Sequence, residues 1–123
     1  MIVESLAHTA RTKGNVLPIL KDDAPELRED QPEIENFGPA VHATALDMLA
    51  TMYASGGVGL AANQVGMRGR MFVMDTSPSN LEPRVCVNPR VLKARLPKDK
   101  FEGCLSFPGK RVRVRRATII TVQ

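Results

Sequence analysis

From Pro39 onward the apolar residues Val41, Ala45, Met48, Leu49 and Met52 recur at i, i+4, i+7, i+8 and i+11. That spacing gathers them on one face of an α-helix. Pro39 suits the first turn, because the N–H it lacks is one that a helix start leaves unbonded anyway. Gly56 and Gly57 then stop the helix. Beyond them the rhythm changes. The segments "RMFVMD" (70–75), "RVCVN" (84–88), "RVLKAR" (90–95) and "RVRVRRATIITVQ" (111–123) are rich in β-branched residues, with turn signals such as "DTSPSN" between them. The pattern predicts an α+β domain, one amphipathic helix packed on mainly antiparallel strands. Upstream, "VLPILKDDAPELRED" reads as an extended start followed by a loop. Residues 1–15 are polar and are expected to form a flexible leader to a domain at 16–123. The last strand pattern reaches Gln123 with no turn or polar tail, so the domain is expected to be C-terminally incomplete.

Length and composition narrow the class. The 123 residues allow one domain, and 43% hydrophobic with 24% charged residues describes a soluble globular chain. No apolar run approaches the roughly 18 residues of a membrane helix, and the N-terminus lacks the apolar core of a signal peptide. A cytoplasmic location is expected, with an organelle as the alternative, and no membrane partner. In that compartment Cys86 and Cys104 are expected to be reduced thiols.

Charge is divided unevenly. Residues 1–83 carry 6 basic and 11 acidic side chains, residues 84–123 carry 11 and 2. Such asymmetry points to an anionic partner, to attraction between the halves, or to missing acidic sequence. In "KRVRVRR" (110–116) a strand would put Arg111, Arg113 and Arg115 on one face. A non-catalytic peptide- or RNA-binding module using this strand is therefore one reading; a charged edge strand is another. Four Phe, one Tyr and no Trp leave little for base stacking, so nucleic acid is not the expected partner.

Two stretches carry candidate chemistry. "GGVGLAANQVG" (56–66) has no lysine and does not enter a helix from a strand, so it is not a phosphate loop. A helix C-cap explains Gly56 and Gly57 but not Gly59, Gln64 and Gly66. A glycine lets a ligand backbone approach, and a neutral amide such as Gln64 can donate a hydrogen bond to an oxyanion. In "FEGCLSFPG" (101–109), Cys104 could be a small buried residue, a nucleophile with His8 or His42 as base, or one ligand of a metal.

Taken together, "GVGLAANQ" (57–64) and "EGCLS" (102–106), 40 residues apart, resemble two signature motifs of peptide deformylases, and "ILKDDAPELRE" (19–29) resembles their N-terminal region. The resemblance covers roughly residues 16–123. It implies metal-dependent removal of the N-formyl group from the initiator methionine of nascent proteins. The substrate would be an N-formyl-Met peptide, and the ribosome a further partner. It also implies a divalent ion, Fe2+ first and Zn2+ or Ni2+ as alternatives, with Cys104 as a ligand. Gln64 and the backbone N–H of Leu105 would stabilise the oxyanion. Gly59 would bond substrate backbone, with Val58, Glu102 and Gly103 beside the bound methionine. The family's third motif, HExxH on a helix, supplies two more ligands and a general base; this sequence does not contain it. The chain as given is therefore expected to be inactive alone. Ile119, Ile120, Val122 and the methionine-rich helix face are expected to be left uncovered. Gln64 and Cys104 should face each other across a cleft.

Overall fold

A computed structural model describes residues 5–122. Helix α1 spans Leu6–Lys13 and α2 spans Pro39–Ala54. Three short strands follow, β1 (Gly59–Ala61), β2 (Met71–Met74) and β3 (Arg84–Val87), forming an antiparallel sheet in the order β1-β2-β3. Strands β4 (Val91–Cys104) and β5 (Phe107–Val122) make a separate antiparallel ribbon. The fold is α+β, as the periodicity predicts. Among the described residues no helix is long and apolar enough to cross a membrane.

The core forms where the stripe of α2 meets the inner face of the three-stranded sheet. Ala45, Met48, Leu49 and Met52 are buried on the helix. Strand alternation turns Met71 and Val73 towards them and leaves Phe72 and Met74 half-buried on the other side. The methionine-rich helix face is thus covered, against the expectation of exposure. Uncovered apolar surface lies instead on the outer side of the sheet. There Phe72, Met74 and Cys86 border a second cleft of about 560 Å³ with Ile120 and Val122, which are 53% and 42% exposed. The side chain of Ile119 lies outside the described ones.

Two differences from the sequence reading have clear physical causes. First, the segment read as a polar leader contains α1. Ser5 caps it by accepting the His8 N–H, and its small residues Ala7 and Ala10 are fully buried. Small size matters here more than hydropathy. At Gly14, which follows the helix, an added Cβ would fall 2.4 Å from the Leu46 carbonyl oxygen of α2. A stripe of two alanines and a glycine carries no apolar periodicity to read. Second, β4 runs on through "KDKFEG", which has no β-branched residue. Its strand form comes from pairing with β5, in register from Pro97↔Ala117 to Gly103↔Arg111.

The segment between the helices wraps the outside of this core. Asn15 N–H donates to the Asp47 carboxylate and Leu17 N–H to the Thr51 hydroxyl, both on α2. Farther on, Leu20 N–H donates to the Gln64 carbonyl at 2.7 Å, and the Asn63 amide donates to the Glu26 carbonyl. Residues 20–26 therefore clasp the turn that follows β1.

Candidate functional site

That turn is a single 3-10 turn, Ala62–Val65, and it determines where Gln64 points. The Ala61 N–H donates to the Gln64 side-chain oxygen at 3.0 Å. A carboxamide has one acceptor end and one donor end. With the oxygen committed to Ala61, the NH2 group must face the other way. It donates to Cys104 Sγ at 3.4 Å and to Ser106 Oγ at 3.2 Å. The two sequence stretches thus meet at a pair of side chains, as expected.

Cys104 and Ser106 sit on the tight reversal between β4 and β5. Cys104 is exposed, Ser106 is fully buried, and Leu105 between them packs towards the core. Leu105 lies against Gly57, where an added Cβ would come within 2.8 Å of its Cδ1. Loop and turn approach so closely here that a side chain at 57 would have to displace the end of Leu105.

Between them is an open cleft of about 690 Å³. Of the residues singled out from sequence, Val58, Gly59, Gln64, Gly103, Cys104 and Leu105 line it. β1 is an edge strand, so Gly59 has sheet partners on the β2 side alone. Glu102 stands apart and does not line the cleft. Strand alternation turns it to the face opposite Gly103, where the Arg116 guanidinium grips both carboxylate oxygens at 2.9–3.2 Å. The hydrogen bonds from Arg116 hold its carboxyl below the ordinary value.

The back of the glycine loop is fixed by a polar cluster. Asp75, at the end of β2, is buried, and its N–H donates to the Val58 carbonyl at 2.9 Å. Its carboxylate accepts from the Tyr53 hydroxyl, the Ser77 hydroxyl and N–H, and the Glu82 N–H. Burial alone would raise the Asp75 pKa; the hydrogen bonds from Ser77, Tyr53 and Glu82 outweigh it and hold the carboxyl at about 2. Burial, then the bond to Asp75 and its charge, push the Tyr53 phenol well above its ordinary range. The Arg11 guanidinium lies over the Tyr53 ring at 3.8 Å, which ties α1 to the same cluster.

Sequence reasoning missed Ser106 and the Tyr53–Asp75 cluster. A serine in "CLSF" looks like any small polar strand residue. The "DTS" after β2 was legible as a turn, since an Asp carboxylate can bond the N–H two residues on, but not as an anchor for residue 58. His8 and His42 are both exposed on helices and neither lines the cleft, so no Cys–His dyad forms among the described residues. Arg111, Arg113 and Arg115 do share one face of β5. Arg113 and Arg115 both reach Asp99, at 2.9 and 3.6 Å, so that stripe is partly neutralised.

A family profile described as polypeptide deformylase matches residues 16–123. The chain is 42% identical over 89 residues to a peptide deformylase of Lachnoclostridium phytofermentans, a match covering 72% of this chain and 55% of that protein. The structure resembles the crystal structure of peptide deformylase from Thermotoga maritima, with a TM-score of 0.82 and 36% identity, over 88% of this chain and 72% of that one. It also resembles a Met-Ala-Ser-bound class I type b peptide deformylase from Acinetobacter baumannii, with a TM-score of 0.79 and 30% identity, over 87% and 74% of the two chains. The chain spans about half the length of the Lachnoclostridium relative.

Proposed function

The chain belongs to the polypeptide deformylase family, and from that premise we propose that its cleft binds the formylated N-terminus of a peptide and polarises the formyl carbonyl for hydrolysis. The observation that carries this reading is the meeting of Gln64 Nε2 with Cys104 Sγ at 3.4 Å, beside the Leu105 backbone, in a cleft edged by Gly59.

Each part has a chemical task. An extended peptide lies along the open edge of β1, exchanging main-chain hydrogen bonds with Gly59, as a strand added to a sheet. Val58 and Gly103 border the methionine side chain. When water adds to the formyl carbon, negative charge grows on its oxygen. The Gln64 NH2, already oriented by Ala61 and Ser106, and the Leu105 N–H stabilise that charge. A neutral amide suits the task because it donates at any pH near neutrality.

The family implies a divalent metal, which we take to be Fe2+, with Zn2+ or Ni2+ as substitutes; bound, it would supply an activated water. Cys104 would be one ligand. The described residues contain no group of three or more His, Cys, Asp or Glu able to hold an ion. Their donor set therefore does not fit a firmly held metal, and the steps assigned here are those of Gln64, Leu105 and Gly59. Glu102 acts at a distance in this reading, pinning the strand before Cys104 through Arg116 rather than touching substrate. The cellular setting we propose is the cytoplasm, where formylated chains leave the ribosome.

The test is calorimetric titration of the chain with formyl-Met-Ala-Ser. Binding is expected, and Gln64→Leu should weaken it roughly fivefold, the value of one lost hydrogen bond of about 1 kcal/mol. Equal affinity for wild type and Gln64→Leu would remove Gln64 from the site.

A further inference from the structure

The Gln64 amide has two donor hydrogens, and an oxyanion hole uses one of them. The other has a dedicated partner. Ser106 Oγ lies 3.2 Å from Gln64 Nε2, and Ser106 is 1% exposed, so water does not compete for that bond. The Gln64 side chain is also fixed at its other end by the Ala61 N–H at 3.0 Å. Its remaining hydrogen is thereby directed to the side of Cys104, whose sulfur is 3.4 Å from the nitrogen.

We propose that Ser106 is a positioning residue: it takes one amide hydrogen of Gln64 and so commits the other to the point above Cys104 where charge develops on the formyl oxygen. The inference rests on the deformylase reading for its purpose, but the hydrogen-bond arrangement stands on its own geometry. Three partners, Ala61 N–H, Ser106 Oγ and Cys104 Sγ, together limit the carboxamide's rotation about its last torsion. Without Ser106 the NH2 group keeps only its contact with the exposed Cys104 sulfur, a weak acceptor, and the amide can swing, because a terminal torsion to an sp² carbon has a broad well. The loss would fall on the reacting geometry rather than on the fold, since the core around Met48, Leu49 and Val73 makes no use of this bond.

The experiment is NMR on the 15N-labelled chain, with the Gln64 Nε2 resonances assigned by their disappearance in Gln64→Glu. Wild type should show two well-separated Nε2 protons, one exchanging with water several-fold more slowly than the other. Ser106→Ala should merge this difference, speeding the slow proton by roughly fivefold, as loss of one hydrogen bond predicts. Ser106→Thr, which keeps the hydroxyl, should restore it. Backbone amides of Leu49 and Val73 should stay where they are in all three proteins. If Ser106→Ala unfolds, Ser106→Cys, nearly isosteric and a weaker acceptor, makes the same comparison. Unchanged Nε2 protons in the folded alanine or cysteine variant would overturn the proposal, as would a folded threonine variant that fails to restore them. Titrating formyl-Met-Ala-Ser into the wild-type sample separates the two claims. Movement of the fast Nε2 proton supports the assigned purpose. No movement at Gln64, Cys104 or Leu105 overturns that purpose and the deformylase reading together, leaving the bond itself to be judged on the exchange rates.

Discussion

Replacing Gly57 by alanine measures how tightly the glycine loop and the Cys104 turn are coupled. The added Cβ would lie 2.8 Å from Leu105 Cδ1 and 3.6 Å from the Gly59 carbonyl oxygen. Carbon atoms settle at about 3.5 Å or more, so Leu105 must retreat by about 0.7 Å. The methyl is the end of a flexible side chain, and leaving a rotamer costs about 0.5–1.5 kcal/mol. If the turn itself had to move, the figure would rise towards the 1–3 kcal/mol typical of overpacking. We expect the side chain to give way, with a loss of about 1 kcal/mol. Gly59→Ala is the control, because the nearest neighbour of its Cβ is the Val73 carbonyl oxygen at 3.7 Å, an ordinary contact. Urea unfolding should therefore show Gly57→Ala about 1 kcal/mol less stable and Gly59→Ala within about 0.5 kcal/mol of wild type. In 15N spectra the Leu105 and Ser106 amides should shift in Gly57→Ala. If that variant is as stable as wild type and those amides stay put, the loop does not set the position of the turn.

Asp75 gives a pH prediction. Its carboxyl is held at about 2 against an ordinary 3.8, so the native state favours the ionised form. The stability it contributes is complete above about pH 4 and is lost as pH falls from there through about 2. The urea midpoint of wild type should drop more steeply across that window than that of Asp75→Asn; parallel curves would contradict the assignment. For catalysis, the chain mixed with Fe2+ should release formate from formyl-Met-Ala-Ser no faster than Cys104→Ser, because a single thiolate does not hold the ion. Rapid release that depends on Cys104 would show that further ligands are recruited.

The fold was legible where one residue type repeats with one period. The α2 stripe of Val41, Ala45, Met48, Leu49 and Met52 announced a helix, and Met71 and Val73 are buried as a half-covered strand requires. It was illegible where structure depends on partners far away in sequence. Helix α1 is held by alanines fitting under α2, and β4 by its pairing with β5. The site divides in the same way. Gln64 and Cys104 were paired through the resemblance of their two stretches to deformylase signature motifs, and they do meet. Glu102 could not be placed correctly, because a one-residue alternation decides which face of a strand a side chain takes, and Arg116 claims it on the far face. Ser106 was invisible for a related reason. Nothing in "CLSF" says that the hydroxyl will end under an amide 42 residues upstream.

The function proposed for this cleft depends on recognition of a formyl group. The most direct measurement is a pair of 15N titrations of the same chain, one with formyl-Met-Ala-Ser and one with unformylated Met-Ala-Ser. The formylated peptide should shift the Gly59 and Leu105 amides and the Gln64 side-chain amide, and at equal concentration the free amine should leave Leu105 and the Gln64 side chain essentially unmoved. Identical shifts from both peptides, or none from either, would contradict it.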